Sequence, residues 1–311
     1  MKRLRATYRK ISAWLRRANN RRLRRRGPPP PERPVAKPED LSRALQEGKV
    51  FAAGKIGGAE LMALEYQDHQ IQPRWPGGWS WRRPAHRLMN NAGFFPVEKK
   101  AFLEWHDIMM QAIPSMDYLC SWQTDSHLQD YEKFLIHDLA PASRNLPLVQ
   151  LGRPLLPFLV PFPWLVVSPF TKTIRRQLPK LREVHDPGGR REVDWSLPVE
   201  TCQLVRCPFQ SHLEPSPYAS WREGLEKLTA EVLAEDFAVA LIGAGAWSLP
   251  LAARIRAAGR SAIHFGGETQ LLFGIKGKRW ERYGIYNDAW VSPDPSEMPA
   301  HRSRVEDGCY W

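Results

Sequence analysis

Apolar residues along most of this chain fall into short runs that alternate with helix-like patterns. An apolar run from Ala238 to Ile242 leads through a glycine turn into a helix, which we predict from Trp247 to Ala258. A second apolar run, Ser261 to Phe265, follows that helix. Two buried strands joined by a helix form a βαβ unit, and such units build parallel sheets that are covered on both faces.

The same alternation continues over most of the remaining chain. It predicts strands at Val50 to Ala53, Asp117 to Trp122, Leu165 to Ser168 and Thr201 to Cys207, and helices at Asp40 to Glu47, Ala59 to Tyr66, Val97 to Ile113, Tyr131 to Leu139, Thr171 to Leu178 and Trp221 to Leu233. We therefore predict an α/β fold, a single Rossmann-like domain with a mostly parallel sheet of about five to seven strands and helices on both faces.

Two segments do not fit this alternation. Three prolines make Leu155 to Val167 a predicted loop that leads into a strand. Gln72 to Pro96 is predicted to be irregular, and its aromatic and basic side chains either bind sugar rings or phosphates or pack as a partly buried loop. These side chains are Trp75, Trp79, Trp81, Arg82 and Arg83.

Positive charge is concentrated at the start of the chain. The net charge is +12, but residues 1–26 hold 12 Lys and Arg and no acid, which leaves 33 basic and 33 acidic residues elsewhere. This balance argues against nucleic-acid binding by the folded body. We divide the chain into a basic, Pro-rich tail, residues 1–38, and an α/β domain, residues 39–311. The linker from Pro28 to Pro38 is expected to be extended and uncoupled from the fold.

The tail carries an apolar stripe at Leu4, Tyr8, Ile11 and Leu15, which is typical of an amphipathic helix. A basic amphipathic helix of this kind can lie in an anionic membrane surface, while an unfolded arm and nucleic-acid contact by the tail are the alternatives. The sequence has no apolar stretch of about 18 residues, so it does not predict a membrane-spanning helix. The spacing of the four cysteines is not typical of a disulfide framework or of a zinc site. We predict a cytoplasmic protein, held by its tail at the inner face of the plasma membrane.

A glycine turn follows the first predicted strand and leads into a helix. Free N–H groups and the positive end of a helix dipole suit a phosphate or a carboxylate there. Lys55, Gly57 and Gly58 are therefore candidate ligand-binding residues. Glu60 lies in the first helical turn and is either a functional carboxylate or an acid that is merely favoured at a helix start.

The turn at Gly243 and Gly245 also follows a strand, and open parallel sheets bind ligands at these strand ends. The two glycines match two of the three in the dinucleotide fingerprint, but Ser248 holds the third place and no acid ends the next strand. This is a weak indication of NAD(P) binding.

Candidate chemistry also follows the second strand of this βαβ unit. His264 ends the strand beside Gly266 and Gly267, so it is a candidate catalytic histidine, with a structural histidine bonded to backbone as the alternative. The densest positive group of the body follows, and it suits a diphosphate whose developing charge it would stabilise. Its members are Lys276, Lys278 and Arg279.

Several segments resemble a known family. They are GKIGGAEL (54–61), NNAGFFP (90–96), LIGAGAWSLPLA (241–252), IHFGGETQLLFGIKGKRW (263–280) and the ending GCYW. They resemble bacterial proteins from polysaccharide gene neighbourhoods, a family similar to the GT-D-type glycosyltransferases. Those enzymes use a nucleotide-sugar donor on a Rossmann-like sheet, with an Asp-x-Glu element after the first strand for metal and donor. Here Glu60 is kept and Gly58 replaces the Asp, which puts a Mn or Mg cofactor in doubt.

The resemblance implies a glycosyltransferase of surface polysaccharide or glycan biosynthesis, acting on a glycan or lipid-linked acceptor. The glycine turns and the Gly266–Gly267 pair would bind the donor, and the cluster at 276–279 its phosphates. Glu60 would serve as base or metal ligand, while His264 and Gln270 would line the sugar end. The alternatives are a non-catalytic nucleotide-sugar-binding protein of the same fold and, with less support, an NAD(P)-dependent oxidoreductase.

Overall fold

The computed structural model describes residues 30–67, 81–124, 126–148, 152–190, 192–209 and 215–311. Within them, six strands form one sheet in the order β2-β1-β6-β5-β3-β4, and every neighbouring pair is parallel. The strands are β1 Ala52–Lys55, β2 Tyr118–Cys120, β3 Trp164–Ser168, β4 Gln203–Arg206, β5 Val239–Ile242 and β6 Ser261–His264. The predicted α/β fold with a parallel sheet is confirmed.

Helices connect these strands and cover the sheet. They are α1 Pro38–Gln46, α2 Gly58–Gln67, α3 Arg82–Ala92, α4 Lys99–Ala112, α5 Ser126–Leu139, α6 Gly152–Leu159, α7 Thr171–Gln177, α8 Leu181–His185, α9 Leu197–Thr201, α10 Trp221–Ala234, α11 Ser248–Ala257 and α12 Thr269–Leu272. The predicted βαβ unit is β5–α11–β6, whose strands are direct neighbours and pair Ile242 with His264. None of the described helices is long and apolar enough to cross a membrane.

Alternate residues of each strand point to opposite faces, and this divides the core in two. Ala240 and Ile242 of β5 belong to one cluster, which helices α2 to α5, α10 and α11 cover. Val239 and Leu241 belong to the second cluster, under α1, α6, α7 and α8. Helices therefore lie on both faces, which explains why the central strand β5 is apolar throughout rather than alternating.

Three sequence-based assignments differ from the structure. The first strand begins at Ala52, two residues later than predicted, so Lys55 ends the strand instead of opening the turn. Residues 82–92 form α3, so the expected loop ends before it. Residues 152–159 form α6 despite Pro157, because Leu155, Leu156 and Leu159 bury one helical face. Trp75, Trp79 and the basic tail lie outside the described residues.

The expected linker is tied to the domain from Arg33 onward. The Arg33 guanidinium donates hydrogen bonds to the carbonyl of Leu119 and the hydroxyl of Ser121, both at 2.9 Å. Val35 forms a parallel bridge with Asn145. These partners are far apart in sequence, so no local pattern revealed the contact.

Candidate functional site

An open cavity of about 380 Å³ lies at the carboxyl edge of the sheet. Segments that follow all six strands contribute to its wall: 55–60 after β1, Trp122 after β2, 168–170 after β3, 207–209 after β4, 243–247 after β5 and 264–270 after β6. Parts of the 91–93 and 279–283 segments and the C-terminal residues Glu306, Tyr310 and Trp311 complete the wall. Because parallel strands all end at this edge, loops that are distant in sequence meet here.

The cavity brings together most of the residues that the sequence singles out. Those lining it are Lys55, Gly57, Gly58, Glu60, Gly243, Gly245, His264, Gly266, Gly267, Gln270 and Arg279. Lys276 and Lys278 are not among its lining residues. The Lys276 ammonium lies 6.0 Å from the Tyr286 ring centroid, and Lys278 is exposed at the start of a short 3₁₀ helix.

Glu60 is buried in the first turn of α2, with its carboxylate folded back over Gly57. A side chain at Gly57 would meet this carboxylate, so it would displace the end of the Glu60 side chain from its place over the turn. Burial is the largest cause that raises the pKa of Glu60, which reaches about 7, and the nearby charge of Glu306 adds to this rise. A hydrogen bond from the backbone N–H of Glu60 and the charge of Lys55 both act to lower the pKa. At neutral pH the carboxyl group is therefore close to half ionised.

Lys55 and Glu268 form a buried ion pair, with 3.4 Å between Nζ and the carboxylate Oε1. The Lys55 ammonium also lies 5.2 Å from the ring centroid of Trp122, and the Trp122 indole N–H donates to the Ile56 carbonyl at 2.8 Å. Stacking on the indole and pairing with Glu268 fix the lysine at the end of β1.

His264 is a neutral group whose orientation is set by the backbone. The Gly266 N–H donates to His264 Nδ1 at 3.1 Å, so this nitrogen is an acceptor. Burial lowers the pKa of His264 to about 3, and the charge of Lys55 acts in the same direction. The imidazole therefore stays neutral at physiological pH, which agrees with the structural alternative for His264 and leaves a catalytic role without a titrating proton.

Arg279 is held by the C-terminal segment. Its side chain donates to Glu306 and to the Cys309 sulfur, and its guanidinium lies 4.1 Å from the Tyr310 ring centroid. Burial alone lowers the pKa of Arg279, but Tyr310, Glu306 and Cys309 raise it more, so the guanidinium keeps its charge. The Gln270 amide donates to the Tyr310 carbonyl at 2.8 Å, which ties the same segment to α12.

The glycines after β5 are explained by packing against protein. A Cβ on Gly243 would collide with Thr269 and would lie 2.9 Å from the Gly266 carbonyl oxygen. Gly245 has φ +56° and would place a Cβ 2.5 Å from the carbonyl oxygen of Ala92. Ser248 accepts a hydrogen bond from the Ala244 N–H, which closes this turn internally. Their role in donor binding stays a prediction.

The wall after β3 and β4 is aromatic. The rings of Phe170 and Phe209 meet edge to face at 5.4 Å, and Phe209 lies 5.5 Å from Trp311. The charged groups lie at the other end, after β1 and β6. The cavity therefore has one aromatic wall and one charged wall.

Comparison with known proteins gives a likeness in fold. No protein-family model matches the chain, and no curated protein matches it. A solved selenomethionine-substituted structure of domain of unknown function 1792 is similar, with a TM-score of 0.46, 10% identity, and coverage of 90% of this chain and 96% of that chain. A second structure, described as showing that this highly conserved domain has a distinct glycosyltransferase fold, has a TM-score of 0.45, 11% identity, and coverage of 91% and 96%. At this level the likeness says nothing about what this chain binds.

The residues present do not fit a divalent metal ion. Among the residues that the structure describes, no group of three or more His, Cys, Asp and Glu side chains is placed to hold one. Glu60 is a single buried carboxyl group, and Glu268 is already paired with Lys55. Away from substrate phosphates, Mg²⁺ and Ca²⁺ need more oxygen ligands than these two side chains offer. Gly58, at the place of the expected Asp, has no side chain to supply one.

The sequence analysis missed three residues that shape the charged wall: Glu268, Glu306 and Tyr310. Glu268 stands two residues beyond a strand-end glycine, which is a local signal for a site residue. Glu306 and Tyr310 lie in an irregular segment whose return to the sheet edge has no local signature.

Proposed function

We propose that this chain transfers a sugar from a nucleotide-sugar donor to an acceptor hydroxyl, as a step in surface polysaccharide or glycan biosynthesis. The observation that carries this proposal is the pair of cations at the charged wall. Lys55 and Arg279 lie on the two sides of the Gly266–Gly267 turn: a Cβ on Gly266 would be 3.7 Å from Lys55 Cε, and one on Gly267 would be 2.8 Å from an Arg279 nitrogen. Two fixed cations beside exposed backbone suit a diphosphate.

The opposite wall supports the same proposal. Phe170, Phe209 and Trp311 offer flat apolar surface, on which a nucleobase or a sugar face can stack. A nucleotide sugar joins these two kinds of surface in one molecule. A cavity of about 380 Å³ lies within the range of small-molecule sites.

The transfer needs a proton acceptor as well as an anion site. The bond between the anomeric carbon and the diphosphate oxygen breaks with its electron pair on that oxygen, and the acceptor oxygen bonds to the anomeric carbon. The proton of the acceptor hydroxyl passes to the ionised Glu60 carboxylate. Because the pKa of Glu60 is about 7, the base form increases as pH rises through neutrality.

A non-catalytic nucleotide-sugar-binding protein is the second candidate. Glu60 is partly protonated, and the neutral His264 accepts a hydrogen bond from the backbone. Neither residue is therefore a strong proton acceptor, which supports binding without catalysis. The NAD(P) alternative has less support, since Ser248 closes the turn after β5 with a bond to Ala244. A glycan or lipid-linked acceptor and an anionic membrane surface for residues 1–26 belong to the proposal as partners.

The test is release of nucleoside diphosphate by the full-length protein from a panel of UDP and GDP sugars, with glycan and lipid-linked acceptors. We expect acceptor-dependent release that Glu60→Gln reduces by at least about a hundredfold, as for loss of a general base. Glu65→Gln, on the same helix, is the matched control. Unchanged turnover in Glu60→Gln would show that Glu60 is not the base. Binding of a nucleotide sugar without release, over the whole panel, would favour the non-catalytic candidate.

A further inference from the structure

Lys55 places a buried positive charge at the end of β1, beside the turn that leads to Glu60. It ends β1, stacks on Trp122 and is paired with Glu268 at 3.4 Å. Burial raises the pKa of Glu60, and the positive charge of Lys55 opposes this rise. The field that favours the ionised carboxylate also repels a metal ion from the same carboxylate. A cation site at Glu60 is thus disfavoured by a resident cation as well as by the missing carboxylate at Gly58.

Arg279 supplies the second charge. Its guanidinium is planar, always ionised and suited to two phosphate oxygens. It is paired with Glu306, a residue with an exposed side chain, and with the Cys309 sulfur. The Glu306 carboxylate borders solvent, so water can hydrate it when a bound anion replaces it as the partner of Arg279.

The charges that line the cavity are compatible with an anion. Lys55, Arg279 and the rim residue Arg282 are cationic, against the carboxylates of Glu268 and Glu306. Apart from Glu60, the wall therefore carries three cationic and two anionic side chains.

We propose that Lys55 and Arg279 take the place of a divalent metal ion and hold the diphosphate of the donor by direct ion pairs. This inference rests on the proposed function and goes beyond it, because it names what balances the phosphate charge. When the bond to the anomeric carbon breaks, the electron pair stays on the diphosphate oxygen, and the two cations stabilise that charge where it develops. The step needs no co-reactant beyond the donor and the acceptor hydroxyl.

Calorimetric titration of the full-length protein with UDP and GDP, and with uridine and guanosine as probes without phosphate, tests this proposal. We expect one of the diphosphates to bind in EDTA with an affinity within about twofold of that in manganese. Lys55→Met and Arg279→Met should each weaken diphosphate binding by at least about tenfold and leave nucleoside binding unchanged. Lys227→Met, an exposed lysine of α10, is the control.

Removing one member of a buried ion pair can impair folding, so the doubly substituted Lys55→Met/Glu268→Gln and Arg279→Met/Glu306→Gln variants accompany the single ones. Binding that appears only with manganese would overturn the metal-free site while the nucleotide-sugar function stands. Binding in EDTA that survives both substitutions would overturn the assignment to these two cations. No binding of either diphosphate under any condition would refute the proposed function, and this inference with it.

Discussion

Replacing the buried carboxyl group of Glu60 with an amide, in Glu60→Gln, should change how stability depends on pH. The pKa of Glu60 is raised from 4.5 to about 7 by burial. Folding therefore favours the protonated form, and the stability from this group is complete below about pH 4.5 and is lost as pH rises through about 7. Each pKa unit corresponds to about 1.4 kcal/mol, so the ionised group costs the native state about 3 kcal/mol at pH 8.

Glutamine keeps the size and an oxygen that can accept the backbone N–H, but it does not ionise. We expect the difference in free energy of unfolding, Glu60→Gln minus the original chain, to rise by about 3 kcal/mol between pH 4.5 and pH 8. Denaturant unfolding at four pH values in this range measures it. The buried Glu132, whose pKa is also raised to about 7 by burial, contributes equally to both proteins and cancels.

Glu65→Gln on the same helix controls for the loss of one acid from α2. A difference for Glu60→Gln that stays flat from pH 4.5 to pH 8 would contradict the burial of this carboxyl group. It would also remove the reason for expecting activity to rise through neutral pH.

Three further substitutions test the site. Gly245→Ala should lower the free energy of unfolding by at least about 2 kcal/mol, because φ is +56° and the added Cβ would also meet the Ala92 carbonyl. Gly259→Ala, at φ +82° with open space around it, should lower the free energy of unfolding by about 1 kcal/mol. Equal losses in thermal unfolding would refute the packing argument. Gly58→Asp combined with Lys55→Met adds the missing carboxylate, with a Cβ that meets nothing nearer than 3.8 Å, and removes the resident cation, so UDP binding should become dependent on manganese. Calorimetry without any manganese effect in this double variant would refute the roles given to the missing carboxylate and to Lys55. Lys55→Met should lower the free energy of unfolding by about 3 kcal/mol, because it leaves Glu268 buried without its cation. The double variant Lys55→Met/Glu268→Gln should recover much of this loss, whereas additive losses would show that the two side chains are not coupled.

The order of strands and helices was predictable because the central strands are buried on both faces. Such a strand can appear in the sequence as an unbroken apolar run, and Val239–Ile242 is an example. The parallel sheet then requires their carboxyl ends to share one edge, which is why Gly57, Gly245 and His264 were placed together correctly. Local pattern and topology were sufficient for this part of the site.

The basic cluster shows where such reasoning fails. Lys276, Lys278 and Arg279 were treated as one group, but the backbone sets their directions separately. The N–H of Lys276 is bonded to Val291 and its ammonium faces Tyr286, and the 3₁₀ helix Lys278–Tyr283 leaves Lys278 in solvent. Only Arg279 among these three lines the cavity. A helix of three residues per turn cannot be inferred from charge pattern alone.

Contacts between distant segments were the other source of error. Lys55 and Glu268 are 213 residues apart, and Arg33 reaches Leu119 across 86 residues. Neither pair leaves a trace in hydrophobic periodicity, since Lys55, Glu268 and Arg33 each look like an ordinary surface charge and Leu119 takes part through its backbone carbonyl. Their burial becomes visible only when the sheet order is known.

A crystal structure of the full chain with UDP bound in the presence of EDTA tests the proposed site most directly. We expect the diphosphate beside the Gly266–Gly267 turn, in contact with Lys55 Nζ and the Arg279 guanidinium, and no metal ion between it and Glu60. A diphosphate bound outside this cavity, or inside it without contact to either cation, would contradict the proposal.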